Sequence, residues 1–134
     1  MVKGYGHIAL TCADVKASID FYCEKLGFKQ AFTLKDADGN PWIEYIGIAP
    51  GQFLELFYAK PGFANNPGSY SHVCLVVEDI NTAASTLKAK GVAITSGPSQ
   101  GRDGNWQCWV QDPDGNRIEF MQISPDSSQG TFVF

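Results

Sequence analysis

Two histidines and two glutamates set the chemistry this chain can do. His7 and His72 are the only histidines in 134 residues, and they stand 65 positions apart. Glu55 and Glu119 stand 64 apart, each inside an alternating run, QFLELFY and RIEFMQ. A carboxylate set among strand side chains needs solvent, a cation or a metal, because burying it unpaired costs on the order of several kcal/mol or more. One imidazole and one carboxylate from each half make two nitrogen and two oxygen donors. Such a set takes Zn, Ni, Co, Fe or Mn, with water filling the open positions. Each residue alone has a plainer reading: a strand histidine at the surface or hydrogen-bonded in the core, a strand glutamate facing water. Recurrence at matched positions is what lifts the four above it.

The elements that must hold them repeat as well. In the first half, residues 6–12 alternate as a strand with His7, Ala9 and Thr11 on one face. Asp14 caps a helix carrying Val15, Ile19, Tyr22 and Leu26, which Gly27 stops. Strands at 28–34 and 42–48 flank the turn Asp38-Gly39-Asn40-Pro41. A last strand at 52–58 places Phe53, Glu55 and Phe57 on one face. Residues 60–69 (KPGFANNPGS) read as a linker. The pattern then runs again: a strand at 70–77 with His72, Cys74 and Val76 on one face, a helix from Asp79 to Gly91, and strands at about 92–96 and 105–111. The turn Asp112-Pro113-Asp114-Gly115 leads into a last strand at 116–123, with Arg117, Glu119 and Met121 on one face. His7, Leu10 and Asp14 match His72, Leu75 and Asp79 at an offset of 65, while Gly27, Gly51 and Glu55 match Gly91, Gly115 and Glu119 at 64. The expected fold is α+β: two tandem βαβββ modules (about 3–59 and 70–123) forming a curved mixed sheet around a metal cleft, followed by a tail, 124–134.

Composition narrows the partners. With 44% hydrophobic and 18% charged residues the chain is ordinary globular material, and its net charge of −4 argues against nucleic acid and anionic membrane. No apolar run reaches spanning length and residues 1–5 lack a signal-peptide core, so a cytoplasmic location is expected. Cys12, Cys23, Cys74 and Cys108 show no paired short spacing, as expected of free thiols in a reducing compartment.

The opening strands GHIAL and SHVCLVV, the helix end SIDFYCEKLGF and the run DPDGNRIEF together resemble the vicinal oxygen chelate superfamily, the glyoxalase I, bleomycin-resistance and extradiol-dioxygenase group, over about residues 5–123. His-Glu-His-Glu in this order is similar to the glyoxalase I pattern. Extradiol dioxygenases and fosfomycin-modifying members carry His-His-Glu, which makes Glu55 the discriminating residue. The resemblance implies His7, Glu55, His72 and Glu119 as metal ligands for one divalent ion per site, Ni²⁺ or Co²⁺ ahead of Zn²⁺. It also implies a homodimer, as is typical of the family, often with each site built from two chains. The activity it implies is isomerisation of the hemithioacetal of methylglyoxal and glutathione through an enediolate, with Glu119 as the base and Glu55 a ligand that shares the proton shuttle.

Two positions depart from that pattern. Where glyoxalase I enzymes place an arginine gripping a glutathione carboxylate, this chain has Thr11, and where they place an asparagine it has Ala59. Losing a charge-assisted clamp removes about 1.5–3 kcal/mol of recognition. The expected substrate contacts are Thr11, Phe53, Phe57, Arg102 and Met121, in a cavity also lined by Ala9, Cys74 and Val76. Arg102, in the loop 96–105, reads at least as well as a solvated loop arginine, Arg117 equally as a structural ion-pair partner, and the strand aromatics more readily as core than as ligand contacts. Three functions follow: a glyoxalase I-like isomerase, a related metalloenzyme on another substrate (a different thiol adduct, an epimerisation or a dioxygenation), and a non-catalytic module that sequesters a drug-like molecule.

Overall fold

A computed structural model describes residues 4–66 and 68–133. The expected module start at residue 3, Pro67 of the linker and the final residue of the tail lie outside them. The chain divides into two compact units, residues 1–66 and 67–134.

In the first unit β1 (His7–Cys12) leads into α1 (Val15–Ile19), a π-helical segment (Asp20–Lys25), β2 (Lys29–Lys35), β3 (Pro41–Ala49) and β4 (Gln52–Tyr58). The sheet order is β1-β4-β3-β2, with β1 parallel to β4 and the other pairs antiparallel. The second unit repeats this with β5 (Val73–Val76), α2 (Ile80–Ala89), β6 (Ser96–Gln100), β7 (Trp106–Gln111) and β8 (Arg117–Gln122), in the order β5-β8-β7-β6. Each unit is therefore a βαβββ module with a four-stranded mixed sheet of its own.

Both helices begin where their aspartates dictate. Asp14 accepts from the Ala17 amide at 3.0 Å and Asp79 from the Thr82 amide at 2.6 Å, each satisfying a donor left open in the first turn. Gly27 and Gly91 take positive φ (79° and 74°) just past the helical segments, the conformation that spares glycine a Cβ clash. α1 packs on β4 and α2 on β6, β7 and β8. Between helix and sheet lie Ile46, Leu54 and Leu56 in one unit and Ile80, Val110 and Ile118 in the other, all essentially inaccessible. Burying each such side chain stabilises the fold by roughly 1.5–3 kcal/mol.

Several boundaries differ from those expected. The first helix is α-helical only to Ile19, then widens, with the Leu26 amide reaching the Phe21 carbonyl five residues back. This wider turn seats Phe21 and Tyr22 in the core edge-to-face, 5.2 Å between centroids. The strand expected from residue 70 is ordered into the sheet only from Val73, which leaves His72 just outside it. Its partner β8 starts at Arg117, because Asn116 is occupied closing the Asp112 turn through its backbone and side-chain nitrogens, at 2.8 and 2.9 Å. The strand expected at 92–96 lies instead at Ser96–Gln100, inside the stretch read as a loop. Val92 is consumed by the helix end, its amide bonded to the Leu87 carbonyl. Pro98 is tolerated because β6 is an edge strand and two residues, Gly97 and Pro98, bulge opposite Cys108.

The tail packs on its own unit. Buried Asn105 accepts from the Ser124 amide (3.0 Å) and donates to Gln129 (3.1 Å), and Ser127 caps the short α3 (Ser128–Thr131). Among the described residues no helix is long and apolar enough to cross a membrane.

Candidate functional site

Strand register decides which side chains meet. In the first unit one cross-strand row runs Ala9, Glu55, Tyr45, Phe32, and the adjacent row on that face runs His7, Phe53, Gly47, Lys29. In the second the corresponding row is Cys74, Glu119, Trp109, Ser96. Residues opposite one another in a row sit about 5 Å apart and share a face.

Each unit thereby places one imidazole against one buried carboxylate. His7 Nδ1 lies 3.3 Å from Glu55 Oε1, and His72 Nε2 lies 3.2 Å from Glu119 Oε2. The carboxylates are only 5% and 4% exposed, whereas the imidazoles are open to solvent. The two pairs are not copies in detail. His72 is held at three points: by Glu119, by Ser71 Oγ at 3.0 Å from Nδ1, and edge-on against Trp109 at 4.8 Å. His7 meets Glu55 through Nδ1, and its Nε2 has no partner among the described residues.

The neighbours of the carboxylates differ too. Tyr45 stands opposite Glu55, and its interaction with that carboxylate, followed by burial, raises the phenol above its usual range. Cys74 stands beside Glu119 in the ladder. Desolvation around its sulfur, then the Glu119 charge, push the thiol up to about 12, so it remains a thiol at neutral pH. Sequence reasoning missed Tyr45. Its signal was present in the repeat, where Tyr45 matches Trp109 at the same offset of 64 that links Glu55 to Glu119.

The expected substrate contacts separate into groups. Phe53 stands opposite His7 and packs with Tyr45 and Phe32, at 5.9 and 6.4 Å between centroids. Phe57 packs edge-to-face on Trp42, opposite Thr11. Met121 is buried, partnered by Val76 and Gln107. Arg102 lines a cleft of about 350 Å³ with Gln100, Asp103, Asp126 and the serines of the tail. Arg117 caps the face of Trp109 at 4.4 Å, a cation–π contact rather than an ion pair. Among the described residues no group of three or more His, Cys, Asp or Glu side chains is gathered so as to hold a metal ion; each unit on its own supplies two donors.

The family model described as Glyoxalase/Bleomycin resistance protein/Dioxygenase superfamily matches residues 4–120. The chain belongs to this superfamily. Its relatives in the glyoxalase superfamily include a probable lactoylglutathione lyase of Vibrio cholerae, 29% identical over 122 residues, covering 87% of this chain and 88% of that protein. The lactoylglutathione lyase of Haemophilus influenzae is also 29% identical, covering 87% and 90%. Among solved structures, TnmS3, an antibiotic binding protein from a Streptomyces species, is similar with a TM-score of 0.74 and 25% identity, covering 92% of this chain and 98% of that one.

Proposed function

We propose that this superfamily member is a divalent-metal-dependent isomerase of the glyoxalase I type. It moves a proton between adjacent carbons of the hemithioacetal of a 2-oxoaldehyde, through an enediolate. The observation that carries the reading is the matched pair of contacts: in each unit an imidazole rests 3.2–3.3 Å from a buried carboxylate. The donor types fit a borderline divalent ion, Ni²⁺ or Co²⁺ ahead of Zn²⁺, and two donors from each unit make up the four such an ion takes. His7, Glu55, His72 and Glu119 would hold it, in a cytoplasmic homodimer.

When bound, the ion would polarise neighbouring substrate oxygens and make the C–H between them acidic. The chain's own residues supply the rest. Glu119 takes the proton and returns it to the adjacent carbon, the role that the resemblance to glyoxalase I implies for it. Tyr45, opposite Glu55 in the sheet, flanks that ligand. Phe53, Phe57 and Met121 keep water from the reacting carbons. Thr11 and Ala59, standing where the family's glutathione contacts would be, favour a thiol handle other than glutathione.

Similarity to lactoylglutathione lyases supports this reading, while similarity to an antibiotic binding protein favours a second, sequestration of an aromatic small molecule on the Phe32–Tyr45–Phe53 face. The deciding experiment loads the protein with Ni²⁺, Co²⁺ or Zn²⁺ and assays methylglyoxal hemithioacetals of a panel of thiols. Turnover with at least one is expected, falling about 10²–10⁴-fold in Glu119→Gln. Inactivity with every metal and thiol refutes the isomerase.

A further inference from the structure

The two imidazole–carboxylate pairs use different ring nitrogens. Glu55 meets His7 through Nδ1, whereas Glu119 meets His72 through Nε2. The difference follows a change one residue upstream, where the repeat offset of 65 sets Ser71 against Gly6. Ser71 Oγ lies 3.0 Å from His72 Nδ1, and glycine has no side chain to do the same for His7. Backbone geometry does not demand that glycine: Gly6 lies outside the left-handed region, and a Cβ there would meet nothing within 4 Å.

The backbone holds the two histidines unequally. His7 is part of its ladder, opposite Phe53, whose amide bonds the Gly6 carbonyl at 3.0 Å. His72 stands just outside its strand, and side chains do the fixing there. Tyr70 Oη donates to the Arg117 carbonyl at 3.2 Å, and Trp109, capped by the Arg117 guanidinium, lies edge-on to the imidazole at 4.8 Å. The His72 side chain is 33% exposed as a result, against 51% for His7. The Tyr70 and Trp109 contacts set where the ring lies but not which way round it sits. A half-turn about its last side-chain bond keeps the ring plane and swaps each nitrogen for a carbon. Two groups tell these orientations apart: Glu119, itself a candidate ligand, and Ser71. A hydroxyl both donates and accepts, so Ser71 can hold Nδ1 whether that nitrogen is bare or protonated.

We propose that Ser71 is a positioning residue: by holding Nδ1 it commits His72 to present Nε2 to Glu119 and to the ion. In the metal-free protein Ser71 donates to bare Nδ1 while Nε2–H faces Glu119. With Nε2 given over to the ion, Nδ1–H donates to Ser71, the partner that a metal-ligating histidine ordinarily requires. The inference rests on the metal-dependent reading only for the second of these states.

The test is a long-range ¹H–¹⁵N correlation spectrum of the full chain labelled in its histidines, at about pH 8.5, where an ordinary imidazole is neutral. His7→Ala assigns the two rings. In the metal-free wild type the bare Nδ1 of His72 should resonate upfield of a free imidazole's, as a nitrogen accepting a hydrogen bond does. Ser71→Ala should move it downfield and leave His7 unchanged, and Ser71→Thr should keep the wild-type position. Zn²⁺, which is diamagnetic, should transfer the His72 proton to Nδ1. Its Kd, read by competition with a chelating dye, should rise about tenfold in Ser71→Ala, the low end for a group behind a metal-ligating histidine, and Ser71→Thr should recover most of the loss. An Nδ1 signal unmoved in Ser71→Ala, or Zn²⁺ held equally by wild type and Ser71→Ala, would each overturn the proposal. A wild type that takes up no Zn²⁺ would refute the metal-dependent reading instead, and the metal-free spectra alone would then decide whether Ser71 holds the ring.

Discussion

Replacing Tyr58 with phenylalanine tests how the first sheet is braced behind its candidate site. Glu44 sits next to Tyr45 on β3 but faces the other side, 4% exposed, and accepts from Thr33 Oγ1 at 2.7 Å, Tyr58 at 2.8 Å and Gln30 Nε2 at 3.0 Å. Burial alone would raise its carboxyl, but these three donors outweigh burial and hold it below the usual range. A hydrogen bond to a charged acceptor is worth about 1.5–3 kcal/mol. Tyr58 is 41% exposed, so water can reach the vacated lone pair, and the loss should be about 1–1.5 kcal/mol. For a domain of this size that lowers Tm by about 3–7 °C at pH 7. The pH dependence has a definite sign. A carboxyl depressed in the folded state stabilises above its unfolded value of about 4.3, and that contribution disappears as pH falls through the folded value. The Tyr58 phenol, pushed up to about 12 by burial and by Glu44, stays a donor throughout. The gap between wild type and Tyr58→Phe should therefore be full at pH 7 and shrink below about pH 4. Thermal melts by circular dichroism from pH 7 to pH 3 would show it. An unchanged Tm, or a gap indifferent to pH, refutes the reasoning.

Cys74 should alkylate slowly at pH 8.5 in the metal-free protein, and Glu119→Gln, by removing the adjacent charge and acceptor, should accelerate it several-fold. Peptide mass spectrometry with iodoacetamide reads this directly; equal rates would show that the thiol does not feel Glu119. Gly97→Ala should destabilise the second unit by at least about 2 kcal/mol, because alanine pays for φ 80° and its Cβ would collide with the Gln107 carbonyl in the β6–β7 bulge. A denaturant midpoint equal to wild type would show that the bulge relaxes.

Much of this was legible in the chain because its signals are local. Asp14 and Asp79 announce helix starts, Gly27 and Gly91 their ends, and the 64–65 offset shows that one module is written twice. What escaped depends on partners distant in sequence. Pro98 looks like a loop residue until β6 is known to be an edge strand that needs no donor there. His72 was legible as one half of a pair, but not as lying outside its strand, because the ladder that begins only at Val73 opposite Ile118 is set by a partner about 45 residues away. Tyr45 and Glu44 are adjacent on β3 but face opposite ways, one toward Glu55 and the other anchoring Tyr58, and only the register between strands assigns them. Arg102 was read in a loop over 96–105, the first half of which is β6, and the tail that shares its cleft is fastened by Asn105, whose partners lie about 20 residues away in Ser124 and Gln129.

The central claim is that the two imidazole–carboxylate pairs serve one ion. Elemental analysis combined with competitive Ni²⁺ titration of wild type, His7→Ala and His72→Ala tests it most directly. The account predicts one tightly held ion per chain, lost or sharply weakened in either variant. Two ions per chain, each lost only with its own histidine, or affinity unchanged in both variants, would contradict it.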